Sequence, residues 1–329
     1  VKERVIKLAK DYGSYLAYPV FYLIAFVVCT SLTFPYSVLK RRIVASFNDA
    51  QRSSGGMREI QIASVSGYFL TGVRMKGVTV TSASTEAGKA PTKMTIDEAT
   101  VRYAVLPALF GGSRVDFTVH AFGGVATGSY STSDDERSLE VSLESIDLAK
   151  VSPLAGLLGA PVDGKLGGSA HFRMPGGRFA KASGQVALEA KGLAVGDGKA
   201  KVMDVLPMPR AEVGTLALTA DAKDGALRIT KFGATGKDID VSGDGRVMLR
   251  DEPVDSKADL TLKYRISDGY RGRSDITKSI FGAPGTVGQG LIDLDPKSRQ
   301  AKRADGFFAW AVSGPLSHPD FIPAVAATK

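Results

Sequence analysis

Residues 139–144 read LEVSLE, so that Leu139, Val141 and Leu143 alternate strictly with Glu140, Ser142 and Glu144. A β-strand sends successive side chains to opposite faces. This period of two therefore places three aliphatic residues on one face and the polar residues on the other. The same period recurs on both sides of the stretch. Ala99, Val101, Tyr103 and Val105 alternate with Thr100, Arg102 and Ala104, and Val115, Phe117 and Val119 with Asp116 and Thr118. Further on, Leu216 and Leu218, Leu227 and Ile229, then Leu260, Leu262 and Tyr264 continue it. Strands that bury one face and wet the other are the habit of antiparallel sheets.

The punctuation between these runs agrees. Asp163-Gly164, Pro175-Gly176-Gly177, Gly196-Asp197-Gly198, Asp224-Gly225 and Asp244-Gly245 are turn sequences of the hairpin type. The chain is thus expected to be mainly β, built from meandering antiparallel strands. Its apolar face either closes on itself as a sandwich or stays partly open as a groove. The segments SGQVALEAKGL (183–193) and SGDGRVMLR (242–250) both lead from a glycine turn into an alternating strand. They are too short to count as a repeat but fit stacked β-units. Helix candidates are few: Val105–Phe110, Leu148–Leu158 and Asp275–Phe281. Residues 282–305, rich in Gly, Pro and charge, are expected to form a long loop.

One stretch departs from the pattern. Residues 15–34, YLAYPVFYLIAFVVCTSLTF, carry no charge. At about 1.5 Å of rise per residue they span roughly the 30 Å hydrocarbon core of a bilayer. Leu16, Val20, Phe21, Leu23, Ile24, Phe26, Val27, Val28 and Leu32 give this predicted helix its apolar surface. A cleaved signal peptide needs a shorter run ending in a small-x-small site, and Ala25-Phe26-Val27 and Cys29-Thr30-Ser31 are poor versions of one. Pro19 lies near the helix end, where fewer backbone bonds are lost. A retained anchor is the reading that follows.

Lys2, Arg4, Lys7 and Lys10 precede the span and Lys40, Arg41 and Arg42 follow it, so the positive-inside rule gives little preference. A short tail kept inside and a long exported domain is the simpler topology. The expected organisation is a cytoplasmic tail (1–14), a transmembrane helix (15–34), an amphipathic juxtamembrane helix with a linker (35–56), and a β-rich domain (57–329). Pro35 presets the first turn of the second helix. There Tyr36, Leu39, Ile43 and Phe47 recur at spacings of three and four, with Arg41 and Arg42 turned away. That pattern suits either a helix lying on the membrane surface or an ordinary connecting helix.

Charge distribution excludes a nucleic-acid platform. The formal charge is +8, but residues 1–58 alone hold nine Lys or Arg against three acids, and the remainder is close to neutral. The basic surplus flanks the anchor, where it meets anionic headgroups. The single cysteine, Cys29, lies inside the predicted span, so no disulfide forms within the chain and no cysteine-based metal site exists.

Several local patterns imitate chemistry. Gly159–Leu166, GAPVDGKL, matches most of a phosphate-binding loop, but the position that should offer a hydroxyl to magnesium is Leu166. Asp238–Gly243, DIDVSG, resembles the start of a calcium loop, yet the position of the bidentate acid is Leu249. Asp134-Asp135-Glu136 reads as a wet hairpin tip. His120, His171 and His318 lie far apart, and no G-x-S-x-G elbow occurs. No catalytic, cofactor-binding or metal-binding residue is assigned, and the chain is expected to be non-enzymatic.

Five segments carry a resemblance. LTFPYSVLKRRIVASF (32–47), VSGYFLTGVRMKGVTV (65–80), VDFTVHAFGGVATGSY (115–130), ESIDLAKVSPLAGLLGAPVDGKLGGSAHF (144–172) and FAWAVSGPLSHPDFIP (308–323) resemble the GspN proteins of type II secretion systems. More loosely, the chain is similar to AsmA-like proteins, whose β-sheets form lipid-facing grooves. It departs from the pattern at Tyr68-Phe69-Leu70, where a Trp is expected, and by the added segment 282–305. The resemblance implies an elongated antiparallel β domain in the periplasm, held in the bacterial inner membrane and acting without a cofactor. It also implies that this domain scaffolds or contacts other type II secretion subunits. The alternative it implies is an AsmA-like envelope protein that binds or transfers phospholipid in an apolar groove. The lipid bilayer is an expected partner in both cases; nucleic acid is not.

Overall fold

The computed structural model describes residues 18–19, 21–22, 25–26, 28–29, 33–53, 58–69, 71–82, 92–104, 111–133, 135–151, 154, 160–199, 201–202, 206–286 and 290–324. Of the predicted span, Leu16, Val20, Leu23, Ile24, Val27 and Leu32 lie outside the described residues. Phe21, Phe26 and Val28 are helical and exposed. Among the described residues no helix is long and apolar enough to cross a membrane. The tail 1–14 and the helix candidate Val105–Phe110 also lie outside them.

After helix α1 (Tyr36–Ser53) the chain lays down β1 (Arg58–Tyr68), β2 (Gly72–Ser82), β3 (Thr92–Ala104) and β4 (Ser113–Ala121). Next come β5 (Gly124–Ser133), β6 (Glu136–Asp147), β7 (Val162–Pro175) and β8 (Ser183–Val195). A small hairpin, β9 (Lys201–Val202) with β10 (Leu206–Pro207), precedes β11 (Ala211–Lys223), β12 (Ala226–Thr235), β13 (Ile239–Met248) and β14 (Lys257–Ile266). Three short helices, α2 (Asp268–Arg271), α3 (Asp275–Phe281) and α4 (Pro296–Ala301), separate β14 from β15 (Phe308–Pro315) and β16 (Asp320–Pro323). Apart from the β9–β10 hairpin, the strands form one antiparallel sheet of fourteen in chain order. β1 and β16 are its two edges, so this is a single open sheet and not a two-sheet sandwich.

The register explains why the sheet has two unlike faces. One row of directly paired residues runs Gly67, Val73, Val101, Phe117, Gly128, Val141 and Ala170 from β1 to β7. It continues through Val186, Ala220, Ile229, Gly245, Leu260, Val312 and Phe321 to β16. Every member is apolar or glycine, and at about 4.8 Å per strand the row extends for roughly 60 Å. The neighbouring row, one residue along each strand from β3 onward, runs Arg102, Asp116, Ser129, Glu140, His171 and Gln185. It continues Asp221, Arg228, Arg246, Asp259, Ser313 and Asp320, and no member is apolar. A slip of one residue would exchange these faces, so the hydrophobic pattern specifies the pairing strongly.

Both ends of the C-terminal half are packed. At one end Phe172, Met174, Ala182, Ala222, Val247 and Leu249 form a buried cluster, with Phe179 edge-on to Phe172 at 5.3 Å between centroids. At the other end the helical insertion between β14 and β15 contributes the buried Tyr270, Thr277, Ile280 and Ala301. Tyr270 donates its hydroxyl proton to the Pro209 carbonyl at 2.5 Å, and the Arg273 guanidinium pairs with the buried Asp238. Burial pushes the Tyr270 hydroxyl up to about 12. Asp238 also accepts from the Glu212 N–H at 2.8 Å, so this carboxylate is fully engaged in fastening the insertion to the sheet.

The helices match the sequence in part. Asp275–Phe281 is a helix, started by a reciprocal capping box between Ser274 and Thr277. Of Leu148–Leu158, the described start is a 3₁₀ turn, Leu148–Lys150, capped by Asp147. The expected long loop 282–305 instead carries a 3₁₀ turn, Leu291–Leu294, and α4. The cause is local: Asp295 accepts from the Ser298 N–H at 2.8 Å while Pro296 occupies the first helical position. The Ser298 hydroxyl, donating to the same carboxylate at 2.7 Å, and its N–H hold the Asp295 carboxyl below its ordinary value.

Candidate functional site

A trough of about 270 Å³ lies on the apolar face across β8 and β11–β15. Val186, Leu218, Ala220, Leu227, Ile229, Phe232, Val247, Leu260, Leu262 and Val312 line it. Most of these side chains are only half-buried, unlike those of a closed core. Its volume is at the small end for ligand pockets, which run from roughly 300 Å³ upward, and suits a slender apolar group better than a folded molecule.

The floor is low because it is made of small residues. Ala220 and Gly245 sit between the larger Val186, Ile229 and Leu260 along the central row. Gly245 adopts φ +134, and a Cβ there would collide with the Asp259 carbonyl oxygen, so no other residue fits without moving the strand. Towards the N-terminal half, the Phe117 ring lies over Gly128, closing the gap where a side chain is missing.

The opposite face holds two larger hollows, of about 830 and 440 Å³. Several of their charged side chains have partners: Lys191 with Glu189 at 3.3 Å, His171 with Glu140 at 3.7 Å, and Arg114 with Asp116 at 2.8 Å. The hydrogen bond from Arg114 holds the Asp116 carboxyl below its ordinary value. The smaller hollow is lined mainly by polar side chains that water satisfies, and charged Lys165, Glu189 and Lys191 stand on the wall of the larger one, whereas an uncovered apolar trough is a standing cost and marks a binding surface. The trough is therefore the candidate site.

The chemical imitations of the sequence fall into ordinary structure. Asp163, Gly164, Lys165 and Leu166 belong to β7, so no loop opens onto a helix there. Asp240 pairs with Arg265 at 2.7 Å and Asp238 with Arg273. His120 is exposed on β4. Among the described residues no group of three or more His, Cys, Asp or Glu is placed to hold a metal ion.

The residues that the sequence reading places next to the predicted span lie at or on α1, which runs along edge strand β1. Pro35 precedes the helix; Tyr36, Leu39, Lys40, Ile43 and Phe47 form its half-buried stripe, and Arg41 and Arg42 are exposed. Lys40 Nζ donates to the Ala63 carbonyl at 2.8 Å, and the Ile60 N–H donates to Asn48 Oδ1 at 3.0 Å. α1 thus covers a sheet edge that would otherwise invite further strands. Alternation in the sequence points to Leu218, Leu227, Ile229, Leu260 and Leu262 of the trough, but not to Ala220 or Gly245, whose small side chains give no hydrophobic signal. No protein family, curated protein or solved structure matches this chain.

Proposed function

We propose that this chain is a non-enzymatic protein of the bacterial envelope that holds a lipid acyl chain against the apolar face of its sheet. In this reading residues 15–34 tether it to the inner membrane, with the N-terminus cytoplasmic and the sheet in the periplasm. The observation that carries the proposal is the apolar row, unbroken over fourteen strands and half-buried on most of them, with the trough at its C-terminal half. Covering such a surface with hydrocarbon recovers roughly 25 cal/mol for each Å² removed from water. Exposed Tyr18, Phe21, Tyr22 and Phe26 in the predicted span support the tether, since lipid is the solvent in which such side chains are at ease. Mass spectrometry of protein gently extracted from membranes should find phospholipid bound, and Ala220→Trp, which fills the trough, should remove most of it. Wild-type protein isolated empty would overturn the reading.

A second reading rests on the segments 32–47 and 144–172: a structural component of a type II secretion system that contacts other secretion subunits. Deleting the gene should then impair secretion and partner assembly, and normal secretion would rule it out.

A further inference from the structure

We propose that the turn joining β1 to β2 makes a second contact with the bilayer, with Phe69 seated in its interfacial region. The inference rests on the tethered reading above and adds to it how the sheet stands on the membrane.

The direction of α1 carries the argument. Tyr36, two residues beyond the predicted span, packs its hydroxyl over Gly67, where a Cβ would lie 2.5 Å from it. Lys40 then reaches Ala63, and Asn48 reaches Ile60. α1 therefore runs antiparallel to β1, and its membrane-proximal end lies at the β1–β2 turn. The end of the sheet that bears Phe69 must consequently face the membrane surface from which the span emerges.

The side chains there suit that position. Phe34, the last residue of the span, packs on Tyr36 at 4.9 Å between ring centroids, and Tyr68 packs edge-on to Phe69 at 4.7 Å. Tyr36 against Gly67 joins these two aromatic pairs, one at the end of the span and one at the turn. Phe69 stands 70% exposed, and its backbone lies at φ +51, a conformation a phenylalanine rarely adopts. The turn holds this ring outward where water alone gives it no reason to be. Aromatic rings concentrate at the membrane–water interface, where an apolar body and a polar surround are both accommodated. The Arg74 guanidinium lies 4.8 Å over the Tyr68 ring while also pairing with Glu98 at 3.1 Å, so it braces the turn from within.

Trp310 is the chain's only tryptophan, which makes a fluorescence test direct. In a Trp310→Phe background, three single reporters are compared: Phe69→Trp, Phe26→Trp in the span, and Leu294→Trp, an exposed site in the helical insertion at the opposite end of the sheet. The whole chain is reconstituted in phosphatidylethanolamine–phosphatidylglycerol vesicles whose acyl chains carry bromine near the headgroup or, in a second preparation, near the chain end. Quenching and a blue shift at position 69 with the headgroup-proximal bromine and at position 26 with the deeper one, with position 294 unaffected, are expected. Quenching at 26 alone overturns the contact and leaves the tether standing. Quenching at neither position overturns the tether and the contact together, and equal quenching at 294 overturns the placement of the turn.

Discussion

Two rows of residues lie side by side on the same strands and face opposite ways. The row through Val101, Phe117, Val141, Ile229 and Leu260 is apolar on every strand and stays half-buried. The row through Arg102, Asp116, Glu140, Arg228 and Asp259 is polar, and its members meet in cross-strand ion pairs such as Arg102–Asp116 and Arg246–Asp259, both at 3.3 Å. The difference teaches that the two faces are maintained by unlike forces. The apolar row draws on burial, which is lost at once if a charge enters it. The polar row draws on exposed ion pairs, each worth little.

Substitutions on the two rows should separate these forces. Ile229→Asp places an unpaired carboxylate among Ala220, Gly245 and their neighbours, and should cost about 3 kcal/mol or more in denaturant unfolding. Its neighbour Arg228→Asp, on the polar row, should shift the stability by no more than about 0.5 kcal/mol. Equal effects would mean the apolar face carries no more of the stability than the wet one. Gly128→Val comes next: its Cβ would meet the Glu140 carbonyl and the Phe117 ring, and overpacking of this kind costs about 1–3 kcal/mol. Thermal unfolding reads it directly.

Leu227→Ala should cost about 1–2 kcal/mol, below the usual core range because the site is only half-buried. Added phospholipid should widen that gap by protecting the wild type more than the variant. An unchanged gap would separate the trough from lipid binding.

The smallest effect belongs to the polar row. The Asp116 carboxyl is held below its ordinary value by Arg114, so its stabilisation is fully present above the unfolded value of 3.8. It is lost as pH falls through the lower folded value. Asp116→Asn should therefore lose under about 1 kcal/mol at neutral pH and show a shallower acid transition below about pH 4, followed by circular dichroism.

Parts of this comparison are legible in the sequence. The alternation of Leu139, Val141 and Leu143 against their polar neighbours states which side of that strand is wet from the side-chain period alone. The same holds for Leu227 and Ile229 and for Leu260 and Leu262. The trough's floor is not legible in this way, because Ala220 and Gly245 look like neutral filler when read along the chain. They become a floor only when pairing sets them beside Val186, Ile229 and Leu260. The helix at Pro296–Ala301 has a readable cap in Asp295 and Pro296, hidden within a stretch whose Gly and Pro content argues for a loop.

By itself, then, the sequence determined the β character, the turns at Pro175-Gly176-Gly177 and Asp224-Gly225, the two-sided strands and the uncharged stretch at 15–34. Each of these is a short-range property, set by side-chain period and backbone preference over a few residues. Asp163-Gly164 and Asp244-Gly245, which read as turns, lie inside β7 and β13, because cross-strand pairing there overrides the local turn preference. The tertiary structure alone decided that fourteen strands join in one open sheet and that their apolar positions align into a continuous row. It also decided that α1 runs back along β1 and that the helical insertion closes one end. These depend on register and packing between distant segments, where turn geometry and the exclusion of water act on the whole sheet at once.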